Sequence, residues 1–273
     1  MSVLKIREHL AFDEDVYLMR GSSESTELCF NLGYDRIRLF DVATRSCRDL
    51  MFPASVKEFL IYSWLLLPDG TRSFLFSSDP LDYALALDHR RLSAAKIALP
   101  KDFDLVTNLC WAAPDARIMT PAGDVWSIEG NALVWPQLHG DEKELATFYR
   151  TLTERYSVIR MESADGLCVI DPERAAFGLF SLKSGIGIMA PWNEKMIGFA
   201  CSRGHLFACN EEEVYVFRNG RNESVLKAPE GCSLNGLQAG SAGAGGYLAV
   251  SSSMLDGRKR PFSFIDIYDL APG

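Results

Sequence analysis

Apolar and polar positions alternate along most of this chain in short runs, and one arrangement of them recurs. Residues 39–53 read LFDVATRSCRDLMFP: an apolar run, a polar turn, a second run, and a proline that ends it. Alternation carried by β-branched and aromatic residues predicts a strand on each side of the turn. The polar interruption predicts a hairpin. A proline has no N–H to give to a ladder, so it falls where an outer strand stops. The arrangement returns in residues 83–100 (YALALDHRRLSAAKIALP), 124–136 (DVWSIEGNALVWP), 177–191 (FGLFSLKSGIGIMAP) and 213–229 (EVYVFRNGRNESVLKAP).

The closing prolines, Pro53, Pro100, Pro136, Pro191 and Pro229, are spaced 47, 36, 55 and 38 residues apart. Ahead of the hairpins lie further strand-like runs, such as FLIYSWLLL and SFLFSS joined by PDGTR, or MIGFAC and LFAC joined by SRGH. The unit is therefore four antiparallel strands, counted first to fourth from the inside outwards. The last unit, GYLAVSSS and FSFIDIYDL, supplies no fourth strand before Gly273, while residues 3–12 (VLKIREHLAF) are a strand without a unit. Pairing the two removes an open sheet edge. Strand repeats of about 40–50 residues resemble the blades of a β-propeller, with closure by the N-terminal strand as in WD-repeat proteins. The resemblance implies an all-β fold over residues 1–273: a single six-bladed β-propeller of four-stranded antiparallel blades, the N-terminal strand closing the last blade. It is architectural, since the chain carries no Gly-His…Trp-Asp pair, Kelch double glycine, Tyr-Trp-Thr-Asp unit or Asp-box.

The interval of 55 residues contains an insertion. In residues 140–156 (GDEKELATFYRTLTERY), Leu145, Phe148, Tyr149, Leu152 and Tyr156 fall at helical spacing, with Asp141 placed to cap and Glu144 three residues on. The expected helix near 141–156 lies between a fourth strand and the next first strand, on the end that carries the turns between second and third strands. Each of those turns holds a carboxylate: Asp35, Asp79, Asp124, Asp171 with Glu173, Glu211 to Glu213, and Asp256. Aspartate is common in turns because it bonds nearby backbone N–H groups. A rim of such groups also attracts a basic partner. Trp135 and Trp192 flank closing prolines beside the insertion and join Phe148 and Tyr149 as candidate partner-binding residues, tryptophan being enriched at binding hot spots. Trp64, Trp111 and Trp126 sit mid-strand, where packing between blades is expected.

Composition narrows the function. Apolar residues make up 48% of the chain and charged residues 23%, ordinary for a folded protein. The formal charge of −8 argues against nucleic acid and against an anionic membrane as partners. No secretory signal is evident at the start, and the longest strongly apolar run has nine residues where a spanning helix needs about 20. Seven scattered cysteines, most inside apolar runs and without zinc spacing, fit buried thiols in a reducing cytoplasm. The four histidines, His9, His89, His139 and His205, are never paired on one element, and His205 reads as a solvated turn residue. There is no GxSxG. The run AGSAGAGG (239–246) lacks the Lys-Ser/Thr of a phosphate loop and reads as a flexible connection or as small residues packed near the axis. These features predict a non-catalytic, cofactor-free, cytoplasmic protein-binding module: a stoichiometric binder or inhibitor of a basic protein, for example an immunity-type protein neutralising a toxin. A propeller enzyme with a metal or carboxylate site at the channel mouth, or a scaffold subunit of a larger complex, are the alternatives.

Overall fold

The recurring runs are strands. The structure is a computed structural model that describes residues 4–22, 24–56, 58–67, 69–77, 79, 82–101, 103, 111–112, 118–119, 125–129, 132–134, 141–163, 166–181, 183–202, 204–242, 245–255 and 260–270. In chain order, β1 (Lys5–Phe12) precedes β2 (Met19–Gly21), β3 (Glu27–Leu32), β4 (Arg36–Asp41) and β5 (Ser46–Met51). Then come β6 (Ile61–Leu66), β7 (Arg72–Ser77), β8 (Tyr83–Asp88), β9 (Ser93–Ala98), β10 (Trp111–Ala112), β11 (Ile118–Met119), β12 (Val125–Glu129) and β13 (Ala132–Val134). The helix α1 (Asp141–Arg155) follows, at the place where helical spacing put it. After it run β14 (Ser157–Ser163), β15 (Gly166–Asp171), β16 (Ala176–Ser181), β17 (Gly185–Pro191), β18 (Gly198–Ser202), β19 (His205–Cys209), β20 (Glu213–Arg218), β21 (Arg221–Lys227), β22 (Ser233–Ala242), β23 (Gly245–Leu255) and β24 (Pro261–Leu270). No helix among the described residues is long and apolar enough to cross a membrane.

The described strands form a β-propeller of antiparallel blades, four of them four-stranded: β2–β5, β14–β17, β18–β21, and β22–β24 completed by β1. Strands β6 to β13 form one eight-stranded sheet in the order β10-β11-β12-β13-β9-β8-β7-β6. The blades therefore number five, not the six that the proline spacing predicted. Among the described residues β10 to β13 continue the sheet of β6–β9 and do not form one of their own. Ala132 of β13 also bridges Ala98 of β9 in parallel, which joins the second and third hairpin units into one sheet. The sequence repeat counts hairpins, and hairpins need not stay in separate sheets.

Closure by the N-terminal strand is as expected. β1 pairs antiparallel with β24 from Lys5 opposite Asp269 to Phe12 opposite Ser263. Arg7 pairs with Asp269 at 3.2 Å and His9 Nδ1 with Asp266 at 2.6 Å. Leu10 and Phe12 pack on the cluster between the first and last blades, where Leu28, Phe30, Phe40, Tyr247, Ala249, Ile265 and Ile267 are buried. Tyr247 is wholly buried and donates its hydroxyl to Glu27 O at 3.3 Å. Glycines make room for it: a Cβ at Gly240 would lie 2.5 Å from its ring. Residues 239–242 are thus strand β22 and not a flexible connection.

Similar apolar seams join other neighbours. Ile37, Leu39, Leu50, Trp64, Leu75 and Leu85 pack between the first blade and β6–β9. Phe177, Phe199 and Phe217 pack between β14–β17 and β18–β21, and Ala200, Val214, Leu234 and Leu248 between β18–β21 and the last blade. Trp64 and Trp126 are buried in such seams. Cys29, Cys168, Cys201 and Cys209 are buried and Cys47 is exposed, while Cys110 and His139 lie outside the described residues. His205 opens β19 half-buried, its Nδ1 shielded from solvent.

One turn design recurs. Asp41 Oδ1 accepts from Thr44 N at 2.7 Å, Asp88 Oδ1 from Arg90 N and Arg91 N at 3.0 and 2.9 Å, and Asp171 Oδ1 from Arg174 N at 3.1 Å. Each turn then closes on a residue with positive φ, Arg45 (60°), Leu92 (53°) and Ala175 (47°). The side-chain acceptor replaces a missing backbone partner and lets a non-glycine residue take the left-handed conformation. The alternating strand direction sends the β3–β4, β7–β8, β15–β16 and β19–β20 turns, the links between blades and α1 to one end of the propeller. The β4–β5 and β8–β9 turns lie at the other.

Candidate functional site

The turn carboxylates named from the sequence lie where expected along the chain, with different surroundings. Asp35, in the β3–β4 turn, is half exposed and pairs with Arg36 at 3.0 Å. Asp79, in the β7–β8 turn, is exposed. Glu173 is exposed in the β15–β16 turn, and Glu211 and Glu212 are exposed in the β19–β20 turn. Glu213 opens β20 and accepts the Tyr215 hydroxyl at 2.9 Å. Asp171 is wholly buried, facing Arg174 at 3.7 Å and Arg155, in the last turn of α1, at 3.9 Å. Its carboxylate holds the turn and the helix end, so it presents nothing to a partner. Asp124 and Trp135 lie outside the described residues.

The insertion is anchored by apolar contact. Leu152 and Tyr156 are buried, and Tyr156 and Phe148 approach Phe180 of β16 at ring separations of 5.8 and 6.2 Å. Phe148 is still 40% exposed, and Tyr149 lies on the same helix. Trp192 is half-buried, its side chain packed against the seam that holds Phe177 and Phe199, and its backbone N–H donates to Ala175 O at 2.7 Å.

The sequence reading missed what lies inside the rim. A cavity of about 200 Å³ opens at the axis, lined by Tyr17, Arg20, Ile197, Phe199, Asn235 and Ser251 among others. Ile197, on its lining, is 50% exposed, and Leu60 (42%) and Tyr62 (51%) are exposed at the opening of β6, another innermost strand. Tyr17 Oη accepts from Ile61 N at 3.0 Å, which fixes the ring between the β2 and β6 openings. Burial pushes its phenol up to about 12, so it stays neutral. Tyr34, 42% exposed, lies over Tyr17 at 5.9 Å between ring centres.

Carboxylates surround this aromatic pair. Tyr34 Oη reaches Asp15 Oδ2 at 3.5 Å, Glu58 acts on its ring electrostatically, and Glu14 and Asp35 share Arg36. Burial raises the Asp15 carboxyl above its ordinary range, and the Tyr34 hydroxyl offsets part of that. The arrangement is an apolar, partly aromatic centre inside an acidic margin. The signal was present in DEDVY (13–17) and KEFLIY (57–62), where an acidic turn runs straight into the apolar start of an inner strand.

The chain matches no protein-family model, and no curated protein matches it in sequence. Its structure is similar to a solved one, the β-propeller domain of Cps50 (Swd1) from Myceliophthora thermophila. The TM-score is 0.54 at 10% identity, over 97% of this chain and 100% of that one. At that identity the likeness extends to the fold, and it supports the propeller assignment.

Proposed function

We propose that this propeller is a non-catalytic protein-binding module that takes a basic segment with an aromatic or aliphatic anchor at the acidic end of its channel. The observation that carries this reading is the aromatic pair Tyr17 and Tyr34, with Asp15 and Glu58 acting on Tyr34, next to a cavity that Tyr17 and the half-exposed Ile197 line. Binding energy concentrates in desolvated aromatic and aliphatic anchors at the centre of an interface, while the charged margin steers encounter and selects the partner. The exposed carboxylates on the rim turns, Asp79, Glu173, Glu211 and Glu212, extend the same field around that end. Spread around a rim, they favour recognition over acid–base chemistry, which needs such groups aimed into one pocket. A stoichiometric inhibitor of a basic protein is one form of this binder, and the partner is identified here by its chemistry alone.

The test compares wild-type protein with Tyr62→Asp/Ile197→Asp on arrays of peptides graded in Lys/Arg content, each made with and without an aromatic anchor. Both side chains are half exposed, so the variant keeps its fold. The expected result is binding of basic, anchored peptides that weakens about tenfold or more in the variant, as for loss of an interface hot spot. Equal binding by the two proteins overturns the reading.

A further inference from the structure

At the opposite end of the propeller, two strand side chains and one turn side chain meet inside the seam between the first two blades. Glu27 and Cys29 are two residues apart on β3 and so share one face of the strand. Opposite them stands His89, in the β8–β9 turn. Cys29 and His89 are 0% and 1% exposed. His89 Nδ1 lies 3.8 Å from Cys29 Sγ and 3.7 Å from Glu27 Oε2, and the three ligand atoms all fall within 4.8 Å of one another.

The histidine is a local departure from the repeat. The turn DVATR of the first blade corresponds to DHRRL of the next, with Val42 N bonded to Thr26 O at 3.0 Å and His89 N bonded to Thr71 O at 2.9 Å. His89 thus occupies the place of a fully buried valine. Its neighbour Ser73 occupies the place of Leu28, since Ser73 lies opposite Leu87 as Leu28 lies opposite Phe40. Two apolar core positions have become a buried polar pair. Ser73 Oγ is 2.9 Å from His89 Nε2, and in the tautomer whose Nε2–H donates to it, the Nδ1 lone pair points at Cys29 and Glu27.

We infer that Glu27, Cys29 and His89 form a binding site for a zinc-class divalent cation that clips the first blade to the second. The point in their plane equidistant from the three atoms lies at most about 2.4 Å from each, a few tenths of an ångström from zinc bond lengths of roughly 2.0–2.3 Å. At 3.7–3.8 Å the groups are too far apart to make strong hydrogen bonds among themselves. One nitrogen, one sulfur and one oxygen ligand select zinc over magnesium or calcium, which take oxygen donors. The remaining shell is in place: Ser73 orients the imidazole, and Arg48 pairs with Glu27 Oε1, leaving Oε2 turned to the cluster. The dication balances the carboxylate and the thiolate. A water completes the coordination from the side of Glu27, whose side chain is 15% exposed. Burial, with the Glu27 charge adding to it, holds the metal-free Cys29 thiol well above the usual range, so metal entry displaces its proton into solvent.

The test titrates Co²⁺ into wild-type protein, Cys29→Ser, and a Cys47→Ser/Cys232→Ser control that removes the two more exposed thiols among the described residues. The expected result is one equivalent bound with a thiolate-to-cobalt charge-transfer band, kept in the control and lost in Cys29→Ser. Thermal unfolding of wild-type protein adds a readout that needs no variant: Zn²⁺ raises Tm and Mg²⁺ at the same concentration does not. No band in the wild type, a band retained in Cys29→Ser, or equal Tm with Zn²⁺ and Mg²⁺ overturns the site.

Discussion

At the scale of single residues, the acidic end shows recognition set against stability. Asp15 is half-buried beside Tyr34, and burial raises its carboxyl above the ordinary value. A carboxylic acid with a raised folded pKa is more comfortable protonated, so its ionisation lowers stability as pH rises through the window from its ordinary value to the raised one. Asp15→Asn is therefore expected to raise Tm at pH 7 and to leave it unchanged near pH 3, where the wild-type group is protonated. Thermal unfolding of both proteins at the two pH values checks this, and a lower Tm for the variant at pH 7 would place Asp15 in the opposite role. The same substitution weakens binding of the basic segment, if that carboxylate is held for recognition. Glu27 has the reverse sign. Burial acts to raise it, but in the metal-free protein a His89 ring that carries its proton on Nδ1, facing the carboxylate, and the Arg48 guanidinium outweigh burial and hold it below the usual carboxylate range. Its contribution to stability is present above the ordinary carboxylate pKa and is lost as pH falls through the lowered one.

At the scale of elements, β1 is the piece on which ring closure depends. It covers the outer edge of β24, sets Leu10 and Phe12 on the seam with the first blade, and ties Glu8 to Arg45 of that blade at 2.7 Å. Deleting residues 1–12 removes that apolar packing, about 3 kcal/mol for two half-buried side chains, and opens a ten-residue strand edge. The expected outcome is a Tm lower by roughly 6–12 °C and concentration-dependent aggregation from the bared edge, read by calorimetry and light scattering. A wild-type Tm and a monomeric variant would refute the closure. The helix is a different kind of element. Among the described residues, Phe148 of the helix and Tyr156 just after it pack on Phe180 of β16, and Arg155 faces Asp171 of β15. These contacts tie it to the β14–β17 blade.

At the scale of the whole molecule, charge is distributed by end. The rim turns gather exposed carboxylates at the end where α1 sits, on a chain whose formal charge is −8. Such a field speeds association with a basic partner and is screened over about 10 Å at 0.1 M salt. Glu211→Lys/Glu212→Lys, both exposed, is expected to slow association severalfold at low salt while leaving dissociation nearly unchanged. Stopped-flow rates against ionic strength for a basic peptide found by the array give the answer. An unchanged association rate would remove the rim from recognition and leave the apolar centre alone to account for it.

The sequence by itself determined the strands, the turns, the helix and the N-terminal closure. Each follows from local chemistry: alternation for strands, Asp-led turns closing on a left-handed residue, 3.6-residue spacing for α1, and a last unit one strand short. Only the tertiary structure decided how many sheets those strands make. Whether β13 stands apart or bridges β9 depends on a contact between Ala132 and Ala98 that no local pattern encodes. It also decided which acidic turn residues face solvent, since Asp171 and Asp35 look alike in sequence and differ in being buried against α1 or open at the rim. The cluster of Glu27, Cys29 and His89 belongs to the same class: its histidine is 60 positions from Cys29, beyond the short spacings by which metal-ligand motifs are read. A seam between blades brings them together, and a seam is a property of the folded ring.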